Sequence, residues 1–258
     1  SGIKVKMALG GAMDNSTGIM RDDLRANGHL PDGEPYSALG YTLENAGATI
    51  APSVKQVTGN LAVVDWVVLE LRPNASSSTV TASRAALLRR DGSVVDPVGN
   101  VLLTFTAPVA GKFLSVRHRN HLGVINAAPI ALSSTATTWD TRTTATALFG
   151  TTPTSVAGST RLLWPGDGSG DGTVKYSRRN TSPCDGTVKY SGVNNDRDPV
   201  LVAIGGTVPT NVVSGVYSPL DINLDGQLRY AGANNDRDII LQTIGGTVPT
   251  AVKVQQLP

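Results

Sequence analysis

Apolar and polar residues alternate over short runs through the first half of the chain. The longest run, at 62–71, is apolar apart from Asp65 and Glu70, which is typical of a strand buried on both faces. Shorter runs lie at 3–9, 80–88, 101–105, 113–116 and 130–132, separated by turn-forming sequences. Strands at this spacing predict a mainly β domain over residues 1–135, an antiparallel β-sandwich or jelly roll. One short helix is predicted around 19–25.

The pattern changes after residue 135. Residues 136–160 are rich in Ser, Thr and Ala, which is typical of a linker or of strands that close the sandwich. Residues 161–258 contain an internal repeat, because 185–198 recurs at 225–238 and both copies end in Ile-Gly-Gly-Thr-Val-Pro-Thr, at 204–210 and 244–250. Two units are too few for a solenoid, so we expect them to pack on each other as a pair.

One segment of the second repeat, 221–226, has the opening pattern of a calcium loop, D-x-N-x-D-G. Oxygen side chains at positions one, three and five converge on one hard cation, glycine at six permits the sharp turn, and position seven contributes its backbone carbonyl. The usual twelfth position is Gly232, which has no ligating side chain, so a later acid is expected to close the loop. The predicted Ca²⁺ ligands are Asp221, Asn223, Asp225, Gln227 and either Asp236 or Asp238.

The first repeat has a less regular loop. Its opening, D-G-S-G-D-G at 167–172, is followed by T-V-K-Y-S at 173–177, and the same five residues recur at 187–191 after an insertion that contains Cys184. A small duplication inside the loop explains this pattern, and the insertion leaves open whether the site binds metal. The predicted ligands here are Asp167, Ser169, Asp171, Thr173, Asp196 and Asp198.

The acidic composition supports the metal interpretation. From Trp139 onward all ten acidic residues are Asp and none is Glu, and nine of them lie in or between the repeats. Short carboxylates at fixed spacing suit a loop around an ion, whereas a solvated charged surface normally mixes Asp with Glu. The alternative interpretation is that Asp, Asn and Gly only shape turns.

The repeat unit resembles a divergent dockerin-type calcium repeat, which implies an EF-hand-like loop, one helix and a tandem duplication. It departs from that family in its elongated Asn-Asn-Asp-Arg-Asp loop and in its Ile-Gly-Gly-Thr-Val-Pro-Thr tail. The segments 20–25, 64–72, 88–92 and 116–123 are similar to a module of secreted Bacteroidota surface proteins, often labelled haemagglutinins, that carry the same repeats. The two resemblances together imply a secreted surface protein.

The sequence R-H-R-N-H at 117–121 is the densest polar cluster outside the repeats. His118 and His121 could belong to a zinc site, a polar ligand-binding patch or a hydrogen-bonded strand end. The last interpretation is favoured, because residues three apart on one strand point to opposite faces and no third metal ligand has matching spacing.

Asp65 and Glu70 are the other candidate pair, for acid–base hydrolysis of a glycoside. Residues five apart on one strand face opposite sides, so buried ion pairs with Arg89 or Arg117 are expected instead of a shared catalytic cleft. The chain also lacks the sequence motifs of nucleophilic hydrolases and of nucleotide-binding loops. We therefore do not predict an enzyme.

Charge and composition restrict the function further. The 258 residues include 22 Lys and Arg against 20 Asp and Glu, with no basic stripe, which argues against a nucleic-acid partner. No run approaches the ~20 apolar residues of a membrane helix. Extracellular calcium modules bind at roughly 10⁻⁴–10⁻³ M, so such loops predict an extracellular or cell-surface protein. The missing initiator Met is taken to mean that a leader has been removed.

We interpret the protein as a secreted structural subunit that forms filaments and is stabilised by calcium. Strand-like segments at 3–9 and 251–254 favour a homo-polymer built through a terminal strand and a sheet edge, with Lys4 and Lys6 keeping a free edge soluble. The alternatives are termini that dock on their own domain, a monomeric adhesin that binds glycans, or an accessory module of a secreted enzyme.

Overall fold

A computed structural model of the protein describes residues 2–130, 137–168, 187–191 and 195–257. Over these residues the chain is mainly β with antiparallel sheets, as the alternating pattern predicts. Three predicted ligands, Ser169, Asp171 and Thr173, lie outside the described residues, as does Cys184. The strands are β1 (Gly2–Lys6), β2 (Met13–Asp14), β3 (Ile19–Met20), β4 (Val63–Arg72), β5 (Ala82–Arg89), β6 (Ser93–Val95), β7 (Leu103–Thr104), β8 (Phe113–His118), β9 (His121–Ile125), β10 (Thr138–Asp140), β11 (Ser155–Ala157), β12 (Thr160–Leu162), β13 (Thr187–Lys189), β14 (Val212–Ser214), β15 (Gln227–Arg229) and β16 (Val252–Val254). The helices are α1 (Asp23–Ala26), α2 (Pro52–Lys55), α3 (Arg197–Ala203) and α4 (Asp236–Thr243), with a 3-10 turn at Gly59–Leu61.

One eight-stranded sheet forms the centre of the N-terminal part, which we call the sheet domain. Its strand order is β10-β1-β6-β5-β4-β8-β9, and β7 pairs with the start of β1. All neighbouring strands are antiparallel except β1 and β10. The predicted runs at 62–71, 80–88 and 113–116 correspond to β4, β5 and β8.

The strand β4 lies in the middle of this sheet because its sequence suits burial on both faces. All ten of its residues are buried, and it pairs with β5 along most of its length and with β8 towards its end. The segment between β3 and β4 adds Leu24, Leu30, Tyr36 and Ile50 to the same core. The Tyr36 hydroxyl also donates to the carbonyl of Trp66 at 2.8 Å. Each fully buried apolar side chain of this kind contributes about 1.5–3 kcal/mol.

The N-terminal strand predicted at 3–9 is present as β1, inside the sheet of its own chain. It lies between β10 and β6 and also pairs with β7, and Ile3, Val5 and Met7 are buried. Both of its hydrogen-bonding edges are therefore used within the chain, as in the alternative in which the terminus docks on its own domain.

The Ser/Thr-rich stretch at 136–160 contributes strands to the fold. The strand β10 runs parallel to β1 and buries Trp139, while β11 pairs with β12 as a hairpin. The helix predicted at 19–25 is shorter than expected, because Ile19–Met20 pairs with Met13–Asp14 as a hairpin and only α1 is helical. Of the strand predicted at 130–132, Ile130 is not extended into a sheet and the other two residues lie outside the described residues.

The two repeats pack as a pair by exchanging strands. The strand β13 of the first repeat pairs with β16 in the tail of the second, and β15 of the second repeat pairs with β14 in the tail of the first. The helices α3 and α4 contact each other, and Val200 and Ile240 form a small core with Leu122 from β9. Each repeat thus completes the other, and both pack against the sheet domain.

The Ile-Gly-Gly sequence ends each repeat helix. The second glycine, Gly206 or Gly246, has φ of +75° or +80° and donates its N–H to the carbonyl five residues back at 2.9 or 2.8 Å. The first glycine donates to a carbonyl three residues back. This is the Schellman arrangement, which satisfies the last carbonyls of a helix and requires a left-handed residue that only glycine adopts without strain.

Candidate metal centre

The second loop, residues 221–226, is a tight turn closed by its own side chains. The carboxylate of Asp221 accepts from the N–H of Asp225 at 3.0 Å and of Gly226 at 2.9 Å. Asn223 Oδ1 accepts from the same N–H of Asp225 at 3.0 Å. Leu224 has φ of +61° and is only 2% exposed, because its side chain enters the core of the sheet domain. The loop is therefore held by its own carboxylates and by an apolar anchor.

Asp236 is the acid that returns to this loop. It is the first residue of α4, is fully buried, and accepts from the N–H of Ile222 at 2.7 Å and of Arg229 at 2.9 Å. Asp238, the other predicted closing acid, is bonded to Arg237 at 2.8 Å and to Asn235 at 2.8 Å, away from the loop. The structure brings Asp221, Asn223, Asp225 and Asp236 together and leaves Asp238 outside, while Gln227 begins β15 directly after the loop.

The electrostatics of the loop disfavour three ionised carboxylates. Burial raises the pKa of Asp221 to about 7, against the opposing pull of the Arg119 guanidinium, and the neighbouring Asp225 adds to the increase. Burial likewise raises the pKa of Asp236 to about 7, and the charges of Asp221 and Asp225 contribute. Each acid is thus destabilised as an anion by its surroundings, which a bound cation would reverse.

The described part of the first repeat buries the two acids equivalent to Asp221 and Asp236. Asp167 and Asp196 are both fully buried, and Asp196 comes directly before α3, as Asp236 begins α4. Asp198 forms an ion pair with Arg197 at 2.9 Å, in the same way as Asp238 with Arg237. The first loop therefore has its first acid and its returning acid buried, and its remaining predicted ligands lie outside the described residues.

Three positions of the repeated Asn-Asn-Asp-Arg-Asp sequence, the second Asn, the Arg and the last Asp, make the same contacts in both copies. The second Asn, Asn195 or Asn235, accepts from the N–H of the last Asp at 2.8 or 2.9 Å, which caps the helix. The Arg stacks over a tyrosine ring, Arg197 over Tyr190 at 4.9 Å and Arg237 over Tyr230 at 5.1 Å. Sequence reasoning missed the cap and the stack, although the Asn three residues before an Asp at a helix start signals the cap.

The donor set of the second loop has the chemistry that a calcium ion requires. Its carboxylate, amide and carbonyl oxygens are the ligands that Ca²⁺ prefers, and the buried acids need a positive charge. The carboxylates are spread around the turn by their backbone hydrogen bonds, and within the described part of the chain no three Asp, Glu, His or Cys side chains converge as a metal cluster. The chemistry of the residues fits calcium, and ligation would require their side chains to turn toward a common point.

The sequence R-H-R-N-H contains a hairpin turn, so the expected opposite orientation of its histidines is wrong. His118 ends β8 and His121 begins β9, and the two residues pair directly across the turn. Their rings lie 4.9 Å apart, edge to face, and are at most 1% exposed. The favoured interpretation of a hydrogen-bonded strand end agrees with this burial.

Asp65 and Glu70 each belong to a separate buried ion pair. Glu70 lies 2.8 Å from Arg72 and 3.1 Å from Arg117, as expected for Arg117. Asp65 lies 2.9 Å from Arg119 instead of pairing with Arg89. The two carboxylates point into different clusters and do not share a cleft.

None of the helices in the described ranges is long and apolar enough to cross a membrane. Comparison with known proteins found no matching family model, no similar curated protein and no similar solved structure. The resemblances to dockerin repeats and to Bacteroidota surface proteins therefore stay predictions.

Proposed function

We propose that this protein is an extracellular structural protein in which calcium stabilises a pair of dockerin-like repeats against a β-sandwich. The observation that carries the proposal is the second loop, where two fully buried acids, Asp221 and Asp236, lie beside Asp225. Buried carboxylates are costly unless a cation or strong donors compensate them. The residues that would hold the ion are Asp221, Asn223, Asp225, Asp236 and the carbonyl of Gln227.

Calcium would supply positive charge to the loop and would take no part in a reaction. An ion bound at the loop would neutralise carboxylates that repel one another, and its binding free energy would add to the stability of the folded repeats. A weak site of this kind fills at the millimolar calcium found outside cells and stays empty at cytosolic calcium. This supports an extracellular or surface location.

A structural role is supported by the way the other ionisable groups are used. Asp65, Glu70, His118 and His121 are all buried at 3% exposure or less, and each has protein partners. Groups that catalyse reactions on external substrates need access to them. These four residues instead hold the strands of the sheet domain together.

Assembly into a homo-polymer is part of the proposal, by surfaces other than β1. The repeats carry exposed valines at equivalent positions of both tails, Val208 with Val248 and Val212 with Val252, each at least 45% exposed. Apolar residues duplicated on one region suit a contact between copies of the chain. Electron microscopy of the purified protein with and without calcium tests this part, and monomers under both conditions would contradict it.

Calcium titration by calorimetry tests the metal site. Asp225→Asn should weaken calcium uptake by about tenfold or more, because it removes one carboxylate without changing the shape of the loop. Asp238→Asn is the matched control, since it makes the same charge change in the same repeat outside the loop, and it should leave affinity within about twofold. Uptake that is absent from the wild type at millimolar calcium, or equal losses in both variants, would contradict the proposal.

A further inference from the structure

A chain of buried polar groups runs from the sheet domain to the second repeat. Oδ2 of Asp65 lies 3.1 Å from Nε2 of His118, and Nδ1 of His118 lies 3.1 Å from Nδ1 of His121. Nε2 of His121 accepts from the N–H of Gly11 at 3.0 Å. The three side chains are at most 1% exposed, so bulk water does not provide alternative partners.

These partners fix where the protons lie on the two rings. Because Gly11 donates to Nε2 of His121, the proton of His121 is on Nδ1, facing Nδ1 of His118 and Oδ1 of Asn120 at 2.8 Å. Asp65 accepts at Oδ2, so the proton of His118 is on Nε2 and its Nδ1 accepts. Both rings are neutral in this arrangement.

An additional proton on either ring breaks one of these hydrogen bonds. On His118 it would occupy Nδ1 and face the N–H of His121, and on His121 it would occupy Nε2 and face the N–H of Gly11. Arg119, a fully buried cation 2.9 Å from Asp65, adds repulsion. The charged or titratable groups around the pair are Asp65 from β4, Arg119 from the turn, Tyr36, Tyr217 and Asp221, and Arg21, which donates to the Gly11 carbonyl.

The sign of the resulting pH dependence follows from burial. Burial lowers the pKa of His118, although Asp65 opposes the decrease, and burial together with His118 and Arg119 lowers that of His121 well below 6.5. A histidine whose pKa is lower in the folded state favours folding above its unfolded value of about 6.5, and this contribution is lost as the pH falls.

The same network bonds directly to the second repeat. Nδ2 of Asn120 donates to the carbonyl of Asp221 at 2.6 Å. The hydroxyl of Tyr217 donates to Oδ1 of Asp65 at 2.7 Å, and the Arg119 guanidinium stacks on the Tyr217 ring at 4.2 Å. Disturbing the histidine pair therefore disturbs both contacts at once.

We propose that the His118–His121 pair is an acid-sensitive latch, in which uptake of a proton below about pH 6.5 releases residues 217–226 from the sheet domain. The release breaks the bond of Asn120 to the Asp221 carbonyl and the stacking of Arg119 on Tyr217 together, since Asn120 and Arg119 both belong to the β8–β9 turn. The latch requires no metal ion, although the segment that it releases contains the proposed calcium loop at 221–226.

Hydrogen exchange in the calcium-free full-length protein tests the latch. Protection of the 217–226 amides, corrected for intrinsic exchange, should fall by about tenfold or more between about pH 7.5 and about pH 5. His118→Gln with His121→Gln should abolish this fall, because glutamine keeps a donor toward Asp65 and an acceptor toward Gly11 without titrating. The variant should keep only the opposite dependence of Asp221 and Asp236, whose raised pKa values make the loop more stable as they take up protons. His29→Gln is the control, since His29 lies against Gly226 of the same repeat and should leave the wild-type dependence intact.

Two results would overturn the proposal. One is constant protection of 217–226 in the wild type down to about pH 5, and the other is the same loss in the double glutamine variant. If that variant does not fold, nuclear magnetic resonance of the wild-type imidazoles decides the question. Neutral rings with the His121 proton on Nδ1 while the repeat is docked support the latch, and a charged ring in the docked state excludes it.

Discussion

At the scale of single residues, the buried charges of the sheet domain are each balanced by named partners. Burial alone would raise the pKa of Glu70, but the guanidinium groups of Arg117 and Arg72 outweigh it and hold that pKa below its ordinary value. Ser115 donates a further hydrogen bond to the same carboxylate at 2.8 Å. The Glu70 carboxylate thus joins β4 to β8 through two contacts, with Ser115 and Arg117, and also pairs with Arg72 of its own strand.

Replacing Glu70 by Gln should destabilise the protein by about 3–5 kcal/mol, because two buried guanidinium groups would lose their carboxylate. Asp32→Asn is the control, since Asp32 pairs with Lys55 while 73% exposed, and such surface pairs contribute about 0–1 kcal/mol. Urea unfolding of both variants checks the difference. Similar losses in the free energy of unfolding of the two variants would show that the buried ion pairs of Glu70 contribute no more than a surface pair.

Which residues gather at the second loop was partly predictable from sequence. The spacing of Asp221, Asn223 and Asp225 identified the turn, and the structure brings their side chains together. The choice between Asp236 and Asp238 was not predictable, because it depends on the helix cap. Asn235 binds the N–H and the carboxylate of Asp238 and so turns that acid outward.

At the scale of elements, strand positions were predictable where burial on both faces left a continuous apolar signal, as in β4. The hairpin at 118–121 was missed because an unbroken polar stretch gives no alternation to mark the turn. The N-terminal strand was predicted at 3–9 and is present over Gly2–Lys6, but its position inside the sheet depends on partners far along the chain, such as Thr138–Asp140. Pairings of this kind are set by tertiary packing and have no local sequence signal.

The glycine that ends α4 gives a prediction at this scale. Gly246→Ala should cost about 1–2 kcal/mol, since φ of +80° is unfavourable for any residue with a Cβ and no neighbouring atom would otherwise obstruct it. Gly33→Ala is the matched control, because an added Cβ there also meets open space and the backbone is not left-handed. Thermal unfolding checks both, and equal melting temperatures for the two variants would contradict the Schellman assignment.

At the scale of the whole molecule, the repeats and the sheet domain share a boundary without a gap. A Cβ on Gly11 would lie 2.0 Å from the carbonyl oxygen of Ile222, and Arg21 donates to the carbonyl of Asn223 at 2.6 Å. Leu224 belongs to the core of the sheet domain. The composition change near residue 135 therefore does not separate two independent cores.

Gly11→Ala tests this boundary. The added methyl group should force the second loop away from the sheet domain at a cost of about 1–3 kcal/mol. Faster hydrogen exchange should appear at 221–226 while the central strand β4 stays protected, with Gly33→Ala unchanged at both places. Unaltered exchange at 221–226 would mean that the two parts are not in contact at Gly11.

The exchange of strands between the repeats also bears on how such arrays grow. Because the loop strand of each unit pairs with the tail strand of the other, the hydrogen bonds of the two units close on themselves. A third unit would bring one loop strand and one tail strand with no counterpart, and exposed strand edges promote aggregation. Relatives with this repeat are therefore expected to carry an even number of units. Units should be gained or lost in pairs.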